Sequence, residues 1–495
     1  MVALLWPDQH QLFIVKDLHL AIIPTVLIPL TFLTVGLTSL AGMVAGWFGI
    51  KLHTEGPKQL LEVLLRKQVL ISMILINVAG WALYRGVIYV NNLPSFIFTI
   101  DHYSKTNAMI SKEIYTDSRF RAHDFKGTIV PAHKSFLKLL KEVKLAKGAF
   151  RSGVVSGNSI FYGVDDGNIY EIDKITLAVK RKFFIGKQVS TRPVIFQNKI
   201  YAGEGNHDTH HARIYSFDLT NGQFTGAFAT NGHTEGQPVI GNFNNTNLMF
   251  ITAGSDGLYA LTPGLGKVWH EKDGHLDGTV SIENNFVYAG TGVEKGDIKD
   301  RSYASSYDFL TGKKIWKTEL PLSNWMHPIV TQKDVCYVIG EIYTPSSVGQ
   351  LYCLDKTSGS PHFAVPFESP VASKPFSIKT ITDDLIFMGG LNGEVCGVSL
   401  SKKEKIWCKK TSLHNKADAF SSVDYDSEHG ILIYPSYDNG IFAFSPEEGR
   451  EIFHWTPSGK EKKWSDNSAA VTIDGDKIYH MDLDGNLRLF KLQLM

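Results

Sequence analysis

From Phe150 to the C-terminus, apolar and polar residues alternate in short runs, and glycines recur between the runs. Period-two alternation places successive side chains on opposite faces of a strand, and such frequent glycines exclude long amphipathic helices. Ala304–Trp316 (ASSYDFLTGKKIW) shows the unit in full. Ser305, Tyr307 and Phe309 alternate with Ala304 and Ser306, the chain reaches Asp308 and a turn at Thr311-Gly312, and a second strand ends in Trp316. Glycine tolerates positive φ and aspartate accepts hydrogen bonds from nearby amides, so the spacing predicts a hairpin.

The strand before the turn recurs eight times: Gly167–Asp173, Ala212–Asp218, Gly257–Thr262, Ala304–Phe309, Gly349–Asp355, Gly393–Ser399, Gly440–Ser445 and Gly485–Lys491. Copies lie about 45 residues apart, the length of a four-stranded propeller blade. A further strand precedes each hairpin, as in FVYAGTG at Phe286 and LIFMGG at Leu385. The strand before that often opens with proline: RPVI at Arg192, QPVI at Gln237, HPIV at His327 and KPFS at Lys374. Proline is accepted at a strand's first residue. Outer strands end in Trp269, Trp316, Trp407 or Trp455, large rings suited to docking between blades. The pattern predicts an all-β, eight-bladed propeller of four-stranded antiparallel blades over 150–495. The last blade runs out of chain after Asn486, so its outermost strand must come from upstream of Phe150, which removes the open edge.

The N-terminal region reads differently. Leu20–Ile50 and Gln68–Tyr84 carry no charge, and about 20 apolar residues span a bilayer as one helix. Residues 1–100 are therefore expected to form a membrane anchor with two transmembrane helices (roughly 20–50 and 68–92). Lys51, Lys58, Arg66 and Lys67 in the loop between them place that loop in the cytoplasm. The propeller then lies in the periplasm or an equivalent lumen, on a multi-pass inner-membrane protein. Residues 101–149 form a connector with the ring-closing strand and an amphipathic helix at Lys134–Lys147, where Phe136, Leu139, Leu140 and Val143 have helical spacing. That helix would lie on the propeller or on the membrane surface.

Together, the Pro-Val opening, Val-Tyr-x-Gly, Gly-x-Leu-Tyr-x-Leu-Asp and Thr-Gly-Lys-x-x-Trp resemble the PQQ-like (quinoprotein-dehydrogenase-like) β-propeller repeat. The resemblance covers roughly Phe150–Met495. It implies the propeller fold and leaves two functions open. The superfamily holds PQQ-dependent dehydrogenases and also cofactor-free scaffolds, such as the propeller lipoprotein of the outer-membrane barrel assembly machine.

Charge is balanced at +1, with 43% hydrophobic residues, and no nucleic-acid-binding signature is present. The four cysteines fall as Cys336 with Cys353 on neighbouring strands and Cys396 with Cys408 around one hairpin. They are either two local disulfides of an exported domain or buried thiols. Candidate chemistry gathers on the face shared by the loops between second and third strands and the loops between blades. The second blade carries His207, Asp208, His210 and His211; later loops carry His233 and Glu235, then His275 and Asp277, then Trp325 and His327. Imidazoles beside carboxylates can hold a transition metal (His207, His210, His211, His233 and His275 as its ligands) or act as acid/base pairs. Equally, they can be polar loop residues facing a partner. The sequence favours a non-catalytic scaffold or protein-binding subunit of an envelope complex, in contact with the bilayer and other membrane proteins, with no cofactor expected. The alternatives are a membrane-bound oxidoreductase using PQQ with calcium or a transition metal, and a ligand-binding sensor.

Overall fold

The computed structural model describes residues 124–126, 129, 131–205, 209–293, 301–341, 348–371, 373–380, 382–415, 422–457, 464 and 471–494. The predicted anchor, residues 1–100 with both membrane helices, lies outside them. Among the described residues no helix is long and apolar enough to cross a membrane.

The strands assemble into eight sheets, each built on a four-stranded antiparallel meander. The fourth blade shows the plan: Ser281–Glu283 is innermost, followed outward by Phe286–Gly290, Tyr303–Asp308 and Lys314–Glu319. Asp308 closes its hairpin by accepting hydrogen bonds from the Leu310 and Thr311 amides at 3.2 and 2.9 Å and from Thr311 Oγ1 at 2.7 Å. Asp173, Asp218 and Asp355 do the same in their blades. The side chain thus mimics the turn's missing backbone acceptor.

Turn chemistry and blade packing are coupled. Gly312 sits at φ 71°, and a Cβ there would lie 2.6 Å from the ring of Trp269 on the preceding blade. Trp269 Nε1 donates to Phe309 O at 3.0 Å. The relation repeats when Trp316 Nε1 donates to Lys356 O at 3.1 Å, and when Trp407 Nε1 donates to Pro446 O at 2.8 Å. The apolar core is correspondingly divided among the blade interfaces. One cluster joins Trp269, Leu258 and Val280 to Phe309, and another joins Tyr479 and Leu487 of the last blade to Ile160 and Tyr162 of the first.

Ring closure uses residues with helical apolar spacing, but they form a strand. Ser135–Lys144 pairs antiparallel with Asn486–Leu494 as the outermost strand of the eighth blade. A bulge between Leu139 and Lys141 shifts its register. Leu137 and Leu139 therefore face the cluster between blades seven and eight, Val143 faces that between eight and one, and Phe136 and Leu140 remain exposed. A helix here would leave the edge of Asn486–Leu494 unpaired, and completing the ladder outweighs the local preference. Buried Arg488 fastens the join, with Nε 2.6 Å from Glu142 Oε2 of the closing strand and Nη1 2.9 Å from Asp482 Oδ2.

A second upstream segment enters the ring. Asp124–Lys126 pairs in parallel with Phe376–Lys379, the innermost strand of blade six, adding a fifth strand on the side that faces the propeller axis. Both cysteine pairs form disulfides, Cys336–Cys353 across blade five and Cys396–Cys408 across blade six, each joining directly opposed residues.

Candidate functional site

His233 and His275 occupy corresponding positions in consecutive inter-blade loops. One lies between Phe224–Ala229 and Val239–Phe243, the other between Lys267–Glu271 and Ser281–Glu283. Short bridges between blades fix the second loop. Gly254 and Leu276 exchange backbone hydrogen bonds at 3.0 and 3.1 Å, and Gly292 N donates to His275 O at 2.9 Å. Gly254 has φ 52°, and a Cβ there would fall 2.6 Å from His233 Cε1, so only glycine lets the imidazole approach.

The two rings lie 5.2 Å apart and direct both Nε2 atoms at one oxygen, Asp277 Oδ1, at 2.7 and 2.8 Å. Ser255 Oγ lies 2.9 Å from His275 Nδ1, and the indole of Trp325 meets His275 edge-on. All three members of the triad are buried. Burial by itself would raise the Asp277 carboxyl, but hydrogen bonds from His233 and His275 overcome it and hold the group well below the usual carboxylate range. Among the described residues, this triad is the group whose ligand atoms lie close enough together for a metal ion.

The other sequence candidates divide. Glu235, Trp325 and His327 are buried beside the triad and, with Asp277, line a cavity of about 40 Å³ in the channel. His210 and His211 are exposed on the second blade and stand apart from the triad. His207 and Asp208 lie outside the described residues.

Around His327, the channel wall brings in residues that the sequence pattern does not mark as a site. Its lining includes Arg192, Gln237, His327 and Lys374, each immediately ahead of the proline that opens an inner strand. Ser152, Thr279 and Ser422 take the corresponding places in other blades. Repetition turns one position per blade into a ring of side chains around the axis. Arg192 Nε donates to Gly153 O at 3.0 Å, and Lys374 Nζ donates to Gln237 Oε1 at 3.4 Å. Enclosure pushes the Lys374 ammonium well below its ordinary value, and neighbouring Arg192 adds to the shift. Burial likewise pushes the Asp424 carboxyl up to about 6, against the pull of Arg192 and Lys374.

The comparisons agree with this architecture. The family profile described as outer membrane protein assembly factor BamB matches residues 300–493. The crystal structure of BamB from Moraxella catarrhalis is 12% identical, with a TM-score of 0.54, covering 72% of this chain and all of that one (100%). Quinohemoprotein alcohol dehydrogenase from Comamonas testosteroni is also 12% identical, with a TM-score of 0.52, over 72% of this chain and 76% of its own. A search of curated proteins finds no match. The chain has the β-propeller fold of these proteins, and its residues 300–493 match the BamB-described repeat profile. At this identity the two structures speak for the fold alone.

The dehydrogenase likeness raises the question of a quinone cofactor in the channel. Small-molecule sites occupy roughly 300–1,000 Å³. The channel cavity of about 40 Å³, crossed by Lys374, does not fit a tricyclic quinone.

Proposed function

We propose that this protein is a membrane-anchored, extracytoplasmic scaffold whose propeller binds protein partners in an envelope complex. The observation carrying this reading is the obstructed channel, in which side chains reaching in from several blades leave about 40 Å³. Binding capacity is thereby shifted to loops held on a rigid ring. The BamB-described profile over 300–493 supports the same reading, and the two disulfides support a compartment outside the cytoplasm. The apolar runs in residues 1–100 support the anchor.

The second reading, a membrane-bound oxidoreductase, is favoured by the dehydrogenase-like fold and by the buried His-Asp-His triad. Photo-crosslinkers in place of His211 and Leu413, both exposed on loops of the triad's face, test the scaffold in native membranes. Ile175, exposed in a hairpin turn on the opposite face, serves as the control. Discrete protein adducts from the first two sites alone support the scaffold. Adducts from none of the three, or equally from all, contradict it.

A further inference from the structure

We propose that His233 Nε2, His275 Nε2 and Asp277 Oδ1 form a binding site for one divalent transition-metal ion of the zinc class, tying blades three and four together. This goes beyond the scaffold reading and does not depend on it. Three donors of the right type meet at one point: two imidazole nitrogens and a carboxylate oxygen, with Nε2–Oδ1 separations of 2.7 and 2.8 Å. Metal–ligand bonds of about 2.0–2.1 Å in a tetrahedral shell set donor–donor edges of roughly 3.3 Å, so about half an ångström of movement admits the ion.

The donor set selects the metal. Calcium and magnesium require shells dominated by oxygen, whereas two imidazoles with one carboxylate suit zinc and its neighbours in the first transition row. Positioning is also provided. A ligating His275 Nε2 must be unprotonated, which places the imidazole proton on Nδ1, where Ser255 Oγ at 2.9 Å accepts it. Trp325 limits rotation of that ring from its edge, and the backbone exchange between Gly254 and Leu276 holds the loop. Asp277 also borders the channel cavity with Glu235 and His327, so the ion's remaining coordination positions face a polar space large enough for water.

The geometry also serves a metal-free reading, in which both imidazoles donate Nε2–H to Asp277. The experiment separates the two readings. Full-length protein in mild detergent is stripped with a chelator and titrated with Co²⁺ as the spectroscopic probe, then with Zn²⁺ as competitor. His233→Gln and His275→Gln retain an amide N–H able to reach Asp277 but lose the strong ligand. One equivalent of Co²⁺ with intense visible absorption, displaced by Zn²⁺ and abolished in both glutamine variants, is expected. Ser255→Ala should weaken Co²⁺ binding about 10–100-fold while leaving the stoichiometry at one. Absence of such a spectrum in the wild-type protein, or its persistence in His233→Gln, would overturn the proposal and leave the triad as a hydrogen-bonded staple.

Discussion

Lys374 of blade six donates a hydrogen bond to Gln237 of blade three across the propeller axis, at 3.4 Å. Both residues stand directly ahead of a strand-opening proline, so one position in the repeat supplies both ends of the contact. Burial pushes the Asp424 carboxyl in the same channel up to about 6, outweighing the pull of Arg192 and Lys374. The channel is therefore an obstructed polar core with its own titration.

That titration has a sign. An aspartate in the unfolded chain titrates near 3.9 (roughly), so a folded value of about 6 gives a stability contribution complete below the unfolded value and lost as pH rises through 6. Between pH 4 and 7.5, the urea midpoint of the wild type should fall relative to that of Asp424→Asn as pH rises. The wild type should lose about 1–3 kcal/mol relative to the variant. A difference independent of pH would contradict this.

Blade docking predicts a larger effect. Trp269→Ala removes a buried ring and its hydrogen bond to Phe309 O, and should cost about 3–5 kcal/mol. Gly312→Ala should cost more than about 1 kcal/mol, because it combines positive φ with a Cβ 2.6 Å from the same ring. Equilibrium denaturation measures both. Near-neutral behaviour of Gly312→Ala would show that the indole does not seat on this turn.

Ring closure rests on Arg488, which is 1% exposed and bound to Glu142 and Asp482. Arg488→Met strands the fully buried Asp482 charge and should cost about 3–5 kcal/mol. Hydrogen exchange should then rise first in Ser135–Lys144 and Asn486–Leu494. Exchange rising uniformly around the ring would argue against a local latch.

The disulfides close short loops, with sequence separations of 17 and 12 residues. Replacing Cys336 and Cys353 together by alanine should lower stability by about 2–4 kcal/mol. An unchanged denaturation midpoint would mean that the hairpin is constrained equally well without the bond.

The blades were legible because the repeats carry their own turn chemistry, as with Asp308 and Gly312, and several end their outer strand in an indole, as with Trp269, Trp316 and Trp407. Ser135–Lys144 misled because Phe136, Leu139, Leu140 and Val143 also satisfy helical spacing. The bulge at Leu140 destroys the period-two signal that would have exposed the strand. Of the site, the equivalence of His233 and His275 could be read from loop position. The convergence of both on a single oxygen of Asp277 could not, because it depends on the angle between adjacent blades. Ser255 gave no signal, being an ordinary polar residue in a loop. The rest of the channel ring, beyond His327, was not legible because its position is constant while its chemistry changes from Arg192 to Gln237 and Lys374.

The central claim is that the propeller works by holding protein partners. Native mass spectrometry of the protein, extracted from its own membranes in mild detergent, tests it most directly. The account predicts a complex with at least one further protein subunit and no adduct of quinone mass. A stoichiometric quinone-mass adduct on a protein without other subunits would contradict it.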